Sequence, residues 1–354
     1  MNNKNNGWVC KVLAGVIAGV LATGTVAAGR NAPDTLEQKS VLSALASHSA
    51  LNAAAMAGER MVVAGVRGHI LYSDDQGQHW QQANVPVTVS LTGLCFADSA
   101  HGWAVGHRGV ILVTRDGGKN WTRQLDGVQA ANAILHARQD PDQLDEARRL
   151  VAEGADKPFL AVHCISAEQA LAVGAYGLAF STRDAGRHWQ PALSVLDGSE
   201  SQHLNSVQQS NGRLYLAGEQ GTLMSSGTDL NAVSRLQGPY DGSFFGLLAS
   251  GDNSLLVFGL RGNLLRSVDQ GSSWQTVKLA TNKSLTAATE LRNGSILLAD
   301  ESGQGWISRD DGRSFRAVSA EQRFPLIALL ATPDGGSLAV GTNGITRFPP
   351  SALR

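Results

Sequence analysis

The feature that most limits how this chain can fold is a unit of about 41 residues that repeats along it. Its clearest copy runs from Trp103 to Trp121 and reads WAVGHRGVILVTRDGGKNW. The unit holds Gly-x-x-Gly, an apolar run, and then Ser/Thr-x-Asp-x-Gly-x-x-Trp. A fixed period of this length indicates a propeller or a solenoid. The second glycine of the unit recurs at Gly68, Gly109, Gly177, Gly221, Gly262, Gly303 and Gly344, with successive gaps of 41, 68, 44, 41, 41 and 41 residues.

Each unit reads as four short strands joined by polar turns. In the second copy the apolar runs are Leu91 to Phe96, Trp103 to Gly106 and Val110 to Thr114, and Trp121 opens a fourth. Four antiparallel strands per period make one propeller blade. The sequence therefore predicts an all-β, seven-bladed β-propeller of four-stranded antiparallel blades, occupying residues 29–354 as one domain.

The two ends of the repeat region suggest how the ring closes. The last unit stops at Phe348 before Pro349 and Pro350, so it shows three strands only. We expect residues 34–46 to supply its missing outer strand. That pairing would remove the exposed sheet edges that an open array has to protect.

The one long gap marks an insertion of 27 residues between the second and third units, at about 126–157. Within it, Leu144, Ala147, Leu150 and Val151 recur at helical spacing, and Asp140 with Pro141 resembles a helix start. The insertion predicts one or two short amphipathic helices between blades 2 and 3. No other segment reads as helical.

The first 28 residues have the layout of a secretory signal peptide. Lys4 precedes an apolar run from Val12 to Val26, and small residues follow. We expect cleavage near Ala27 or Ala28 and export to the periplasm, with an uncleaved membrane anchor as the alternative. Removing Lys4 and Lys11 changes the formal net charge from −1 to −3, which argues against non-specific binding of nucleic acid.

Two cysteines follow the signal segment, Cys95 and Cys164. An exported chain can pair them. When the two repeat units are aligned on their first glycines, Gly106 and Gly174, however, the cysteines lie one position apart in equivalent strands. Neighbouring positions in a strand face opposite sides of a sheet. We therefore expect two unpaired, buried thiols, with a disulfide as the alternative.

The repeated Asp box is interpreted as a folding element. Its aspartate can accept backbone N–H groups within its own turn, its glycine tolerates a left-handed conformation, and its indole can bury against neighbouring strands. A residue repeated on almost every blade indicates architecture and not catalysis. The residues assigned this role are Asp75, Trp80, Asp116, Trp121, Asp184, Trp189, Asp269, Trp274 and Asp310.

These motifs resemble the Asp-box propellers, also called bacterial neuraminidase repeat proteins. Gly102 to Gly106 (GWAVG), Gly109 to Thr114 (GVILVT) and Asp116 to Trp121 (DGGKNW) are most similar to the photosystem II stability and assembly factor branch. The resemblance covers roughly residues 50–348. It implies a photosystem II assembly factor-like propeller, which has relatives in non-photosynthetic bacteria, and an arginine-lined patch that binds protein. The insertion and the degenerate fourth box, with Ser226 and Leu230 in place of a full motif, depart from the simplest version.

The main alternative function is a glycoside hydrolase of the sialidase type, or a carbohydrate-binding propeller. Sialidase-like enzymes share the box but carry a Phe/Tyr-Arg-Ile-Pro motif near their start, which is missing here; Arg323-Phe324-Pro325 lies at the wrong end. The nine histidines show no metal-ligand spacing. We therefore predict no enzymatic activity, no metal and no cofactor.

The best candidate site is the rim that faces away from the Asp boxes, where the variable residues of Gly-x-x-Gly collect. Variable residues on a fixed frame are where a scaffold holds its specificity. We expect this rim and the inserted helices to bind a protein partner, such as a subunit of an envelope membrane complex, with the propeller as a monomer and no role for nucleic acid. The predicted partner-binding residues are Arg67, His107, Arg108, Tyr176, Glu219, Arg261 and Asn343.

Overall fold

The computed structural model describes residues 34–199, 201–251 and 254–354, and the chain from Asp34 to Arg354 forms one compact unit. Seven antiparallel sheets follow one another in chain order, six with four strands and the last with three. The predicted seven-bladed β-propeller with a helical insertion between blades 2 and 3 is confirmed. The predicted signal segment lies outside the described residues.

The strands of the first three blades follow the order of the chain from the centre of the ring outward. Blade 1 contains β1 (Leu51–Ala57), β2 (Arg60–Gly65), β3 (Ile70–Ser73) and β4 (Gln81–Gln82). Blade 2 contains β5 (Leu91–Phe96), β6 (Gly102–Gly106), β7 (Ile111–Thr114) and β8 (Thr122–Leu125). Blade 3 contains β9 (Phe159–Cys164), β10 (Ala170–Gly174), β11 (Ala179–Thr182) and β12 (Gln190–Pro191).

The remaining four blades repeat this arrangement, and blade 7 ends after three strands. Blade 4 contains β13 (Leu204–Ser210), β14 (Arg213–Gly218), β15 (Leu223–Gly227) and β16 (Val233–Arg235). Blade 5 contains β17 (Phe244–Ser250), β18 (Ser254–Gly259), β19 (Leu264–Ser267) and β20 (Gln275–Thr276). Blade 6 contains β21 (Leu285–Glu290), β22 (Ile296–Asp300), β23 (Gln304–Ser308) and β24 (Arg316–Ser319), and blade 7 contains β25 (Leu326–Ala331), β26 (Ser337–Gly341) and β27 (Gly344–Phe348).

The second strand of each blade is buried on both faces, which explains its continuous apolar sequence. In β6, Trp103 and Val105 pack towards blade 3, whereas Ala104 packs towards blade 1. Alternate residues of one strand therefore belong to different interblade cores. The indole N–H groups of Trp103 and Trp189 both donate to Gln124 Oε1, at 3.1 and 3.0 Å, and so join blades 2 and 3.

The insertion folds into two helices, as its periodicity predicts. Helix α1 (Gly127–Ala137) begins with a capping box between Asp126 and Gln129, and α2 (Pro141–Glu153) begins at Asp140 with proline in its first turn. A third helix, α3 (Leu193–Gly198), follows blade 3, so the expectation of no further helix is wrong. It is six residues long, less than two turns of helix, and lies inside a link, so it is too short to show a periodic pattern. No helix among the described residues is long and apolar enough to cross a membrane.

The ring does not close through residues 34–46, and that expectation is wrong. This segment contains no strand and runs beside the link between blades 1 and 2, where Thr88 N donates to Thr35 O (2.9 Å) and Ser40 N to Val85 O (2.9 Å). The outer edge of β27 instead receives a hydrogen bond from Glu321 N to Arg347 O at 2.8 Å. Since the link that leaves blade 6 already meets this edge, the edge has less need of a fourth strand.

Closure depends on the packing of blade 7 against blade 1. Leu338 and Val340 of β26 share a core with Leu51 and Val63 of blade 1. The second glycine of blade 7, Gly344, has φ +89°, and a Cβ there would lie 2.1 Å from the carbonyl oxygen of Ser47. Only glycine permits this approach. Gly344 therefore allows the segment that enters blade 1 to pack directly against blade 7.

Cys95 and Cys164 form a disulfide, so the expectation of two free thiols is also wrong. The two cysteines lie in β5 and β9, the innermost strands of neighbouring blades. Neighbouring blades stack face to face around the ring. The face of blade 2 that contacts blade 3 therefore meets the non-equivalent face of blade 3, as the front of one sheet meets the back of the next. An offset of one position is therefore the arrangement that makes the two side chains point at each other, and no change of strand register is needed.

Candidate functional site

The propeller has two rims with different contents. The turns between the second and third strands of each blade lie on the same rim as the links between blades, and we call this the Gly-x-x-Gly rim. The turns between the third and fourth strands, which carry the Asp boxes, lie on the opposite Asp-box rim.

The carboxylates of the Asp-box rim are satisfied within their own turns. In the first box, Ser73 Oγ donates to Asp75 Oδ1 (2.8 Å), His79 N donates to Asp75 Oδ1 (2.9 Å), and the His79 ring contacts Asp75 Oδ2 (2.6 Å). The boxes of Asp116, Asp184, Asp269 and Asp310 repeat this pattern with their own hydroxyl and their own residue before the aromatic position. These bonds are the contacts of a folding turn.

The same contacts keep the box carboxyl groups ionised. The backbone and side-chain hydrogen bonds of His188 lower the pKa of Asp184 to about 2, and those of Ser273 lower the pKa of Asp269 to about 2. A general acid must hold a proton near neutral pH. These groups therefore have the chemistry of structural anions and cannot donate protons at neutral pH.

On the Gly-x-x-Gly rim, tight turns display the predicted partner-binding side chains. The second variable residue of five turns has a left-handed backbone, with φ between +50° and +61°. Such a conformation is uncommon for residues other than glycine and occurs where the surrounding structure enforces it. The residues are Arg67, Arg108, Tyr176, Gln220 and Arg261.

Arg67 lines the same cavity as the three most exposed large apolar side chains among the described residues. Val41, Leu42 and Leu45 are 72%, 76% and 69% exposed, and we call these three side chains the apolar triplet. Together with Arg67 and Thr342 they border a cavity of about 720 Å³ at the junction of blades 1 and 7. Asn343, the predicted site residue of blade 7, is the immediate neighbour of Thr342 and accepts a hydrogen bond from its hydroxyl at 3.1 Å.

A buried histidine forms part of this cavity wall. His69 is 4% exposed, and its Nδ1 has no hydrogen-bond partner in the described part of the chain. Burial, and then the charge of Arg67, lower the pKa of His69. His69 is therefore neutral at physiological pH, and the positive charge of this corner comes from Arg67.

Arg108 is engaged with the chain's own N-terminal segment. Its guanidinium lies 3.3 Å from a carboxylate oxygen of Asp34, and Arg123 similarly pairs with Glu37 at 2.9 Å. His107, the preceding residue, is exposed. The segment that presents the apolar triplet is thus tied to blade 2 by two ion pairs, and Arg108 is less available to a partner than the sequence suggests.

Tyr176 and Glu219 meet through a residue that the sequence analysis did not select. The Tyr176 ring packs against the His203 ring at an angle of 50° with centroids 4.8 Å apart, and His203 Nδ1 lies 2.8 Å from Glu219 Oε2. On the other side, Lys157 Nζ lies 4.8 Å from the Tyr176 ring centroid. Ion-pair hydrogen bonds to Glu153 raise the pKa of Lys157, so this cation–π contact persists at neutral pH.

The insertion and blade 3 enclose a cleft next to Tyr176. Its volume is about 400 Å³, with Ile134 and Leu150 among the apolar side chains of its floor. Arg138 forms part of the wall and is held by Asp197, with a shortest N to O distance of 2.6 Å. The helices are therefore anchored to the propeller and extend the Gly-x-x-Gly rim.

The three predicted arginines do not form one patch. Arg67 and Arg108 lie on neighbouring blades, but Arg261 lies on blade 5, three blades from each around the ring. Arg261 is exposed, and no ion pair holds its guanidinium within the described residues. The rim therefore offers separate contact points, and the apolar triplet with Arg67 is the one with the most exposed apolar side chains.

The buried His69 and the partly buried His163 predict how stability depends on pH. Burial lowers the pKa of both His69 and His163. As pH falls below about 6.5, the unfolded chain binds protons that the folded protein does not, so stability decreases. We expect the urea midpoint to fall between pH 7 and pH 5, and His163→Gln to reduce this fall. His107→Gln, at an exposed position, is the control; an unchanged pH dependence in His163→Gln would contradict the prediction.

The fold and its turns define the class of protein: a seven-bladed Asp-box β-propeller. The family model described as "Photosynthesis system II assembly factor YCF48" matches residues 73–138, from the first Asp box through helix α1. The chain therefore resembles the photosystem II stability and assembly factor propellers, as the motifs predict. In the described residues no group of histidine, cysteine, aspartate and glutamate side chains is arranged to hold a metal ion.

Two curated relatives match short segments. The photosystem II stability/assembly factor HCF136 of Cyanidioschyzon merolae is 44% identical over 48 residues, which is 13% of this chain and 11% of that protein. The photosystem II assembly protein Ycf48 of Thermosynechococcus vestitus is 38% identical over 42 residues, 12% of each chain. The chain thus spans about an eighth of the length of the curated relatives it matches.

Solved structures share the fold over most of the chain. YCF48 bound to D1 peptide has a TM-score of 0.63 at 15% identity and covers 86% of this chain and 94% of its own. YCF48 from Cyanidioschyzon merolae has a TM-score of 0.63 at 16% identity, covering 89% and 99%. The WD40 propeller domain of Doa1 reaches 0.60 at 12% identity, covering 84% and 92%. At these identities the likeness concerns the fold.

Proposed function

We propose that this protein is an exported, non-enzymatic scaffold that binds a protein partner of an envelope membrane complex on its Gly-x-x-Gly rim. The observation that carries the proposal is the apolar triplet, Val41, Leu42 and Leu45, exposed next to the guanidinium of Arg67. Clustered apolar side chains on a soluble surface mark interaction sites. The protein works as a monomer in the periplasm and does not bind nucleic acid.

The chemistry of the surface favours a protein over a small substrate. Protein interfaces combine an apolar centre with a polar rim, and arginine is enriched among their dominant contacts. Arg67, His107, Arg261 and Asn343 supply polar groups around the ring, and Tyr176 is 56% exposed. A solved propeller of the same fold is described as bound to D1 peptide, which supports peptide or protein binding as a use of this architecture.

Removing the apolar triplet is expected to weaken partner binding at least tenfold. The variant V41S/L42S/L45S loses exposed hydrocarbon only, and tenfold corresponds to about 1.4 kcal/mol. Tagged protein is used to capture partners from detergent-solubilised envelopes of the source organism. The affinity of the purified partner is then measured for wild type, for the triple serine variant and for R67E/R261E.

Matched variants on the opposite rim provide the controls. Val268 is 54% exposed in the fifth Asp box, and Lys119 is exposed in the second. Val268→Ser and Lys119→Glu change the same kinds of side chain and should leave the affinity unaltered. Equal affinity of wild type and both rim variants would refute the proposed site, and turnover of a glycoside by the purified protein would refute the non-enzymatic role.

A further inference from the structure

The innermost strand of every blade carries the same irregularity, and together these irregularities build the mouth of the central channel. In each of these strands the pairing register shifts across the second residue, as between Leu51 and Ala53 in β1. The first residue of β1 pairs with Gly65 of the first Gly-x-x-Gly turn. The seven bulged residues therefore lie at the Gly-x-x-Gly rim, and they surround one cavity of about 300 Å³.

Four of the bulged residues use their side chains to connect neighbouring blades. Each donates a hydrogen bond to the carbonyl oxygen of the first residue in the next innermost strand. The bonds are Asn52 to Leu91 (2.8 Å), Thr92 to Phe159 (2.7 Å), Asn205 to Phe244 (2.8 Å) and Thr286 to Leu326 (2.6 Å). Asparagine or threonine at this position thus has an architectural role.

The other three bulged residues do not form this interblade hydrogen bond. Leu160, Phe245 and Ile327, in blades 3, 5 and 7, have no polar side-chain atom to donate. Phe245 and Ile327 are each 37% exposed, although the position accepts asparagine or threonine in the other blades. The fold gains no interblade hydrogen bond from these apolar residues, and they expose hydrocarbon at the opening.

The lining defines the chemistry of an occupant. None of the seven side chains is charged, and the four polar ones already donate to the protein backbone. A charged group entering this cavity would lose hydration and find no opposite charge to offset that loss. An apolar group would instead displace water that the hydrocarbon surface holds poorly. The volume lies at the lower limit of ligand pockets and suits one large side chain.

We propose that the channel mouth is a receptor for a single large apolar side chain, aromatic or branched, presented by the bound protein partner. Its contact surface consists of Leu160, Phe245 and Ile327. The strands around it are connected by the interblade hydrogen bonds of Asn52, Thr92, Asn205 and Thr286. This inference rests on the proposed function because the mouth opens on the same rim. It adds a specificity element at the centre of that rim, separate from the apolar triplet.

The test measures binding of side-chain analogues to the intact protein. The probes are N-acetyl-phenylalaninamide and N-acetyl-leucinamide, with N-acetyl-lysinamide as the charged control, followed by saturation-transfer NMR. Wild type is expected to bind the two apolar amides with millimolar affinity and the lysine amide at least tenfold more weakly. Methyl-labelled protein should show shifts at Leu160 and Ile327 on addition of the phenylalanine probe.

The decisive variant is L160T/F245T/I327T, which gives every blade a polar residue at the bulge. Threonine already occupies this position in blades 2 and 6, so the variant should fold and keep or raise the thermal midpoint. It should lose binding of both apolar amides at least tenfold. The reverse variant, T92V/T286V, removes two interblade bonds, so its midpoint should fall while it still binds the amides.

The outcomes separate this inference from the proposed function. Equal amide binding by wild type and the folded triple threonine variant, or equal binding of the lysine amide, overturns the receptor. Partner affinity that the threonine changes leave unaltered also overturns the receptor, and where V41S/L42S/L45S still loses the partner, the proposed function stands without it. Loss of both amide binding and partner affinity in the threonine variant supports the receptor, even where the triplet variant leaves partner affinity unchanged and the proposed rim site fails.

Discussion

Removing the disulfide between Cys95 and Cys164 is expected to lower the free energy of unfolding by about 4 kcal/mol. The bond joins residues 69 positions apart and so restricts a long loop of the unfolded chain. That loop contains the whole insertion, and the bond holds the innermost strands of blades 2 and 3 against each other where the insertion interrupts the repeat. The variant C95S/C164S, compared with wild type by urea denaturation under oxidising conditions, measures this effect.

Reduction provides the matching control for the disulfide. Both cysteines are only partly buried, so dithiothreitol should destabilise wild type by a similar amount and leave C95S/C164S unaffected. Equal urea midpoints for oxidised wild type and the double serine variant would show that the crosslink contributes little to stability.

Substituting Asp311 with alanine is expected to cost about 3 to 5 kcal/mol, because it leaves a buried guanidinium unpaired. Arg266 of blade 5 is 5% exposed, and its guanidinium pairs with the Asp311 carboxylate in the sixth Asp box. Ser254 also donates to Asp311 Oδ1 at 2.6 Å. One carboxylate thus accepts from two side chains of the neighbouring blade. Without it, Ser254 loses its acceptor and Arg266 keeps only its hydrogen bond to the Asp311 carbonyl oxygen, which does not neutralise its charge.

A double variant separates the cost of the unpaired charge from the worth of the ion pair. R266M/D311A removes both charges and should recover much of the loss, since replacing a buried pair by apolar groups is often close to neutral. The exposed pair Arg148 and Asp145, 2.9 Å apart on helix α2, is the control, and Asp145→Ala should change stability by less than about 1 kcal/mol. A D311A protein as stable as wild type would contradict this account of the interface between blades 5 and 6.

Most of the fold follows from the sequence because its signals are local. The period fixes the number of blades, and the Asp box closes within about eight residues, as in the bonds from Ser73 and His79 to Asp75. Helix α2 appears where apolar periodicity and a helix cap coincide, and α1 precedes it in the same insertion with a capping box of its own. Helix α3 was missed because six residues cannot show a helical period.

The errors concern contacts between distant segments. The offset of one position between Cys95 and Cys164 reads as a mismatch within one sheet, but it is the correct offset between two sheets that face each other. Residues 34–46 have no strong pattern of their own, and their path is set by blade 2 through Asp34 and Glu37. In both cases the partner surface, and not the local sequence, decides the outcome.

The candidate site divides in the same way. The sequence identified the Gly-x-x-Gly rim and the residues that vary on it, because a repeat shows which positions differ between its copies. It could not show that Arg108 is paired with Asp34, that His203 joins Tyr176 to Glu219, or that the apolar triplet lies beside Arg67. Each of these contacts joins different blades or links.

Spacing within one repeat is enough to predict the seven blades, the turns that close them, the inserted helices and the rim on which variable residues lie. Contacts across the ring do not follow from that spacing: the disulfide, the ion pairs of the N-terminal segment and the seven bulged residues at the channel mouth. A propeller buries both faces of every sheet. Which side chains touch therefore depends on how whole blades stack, and that information is absent from any single repeat.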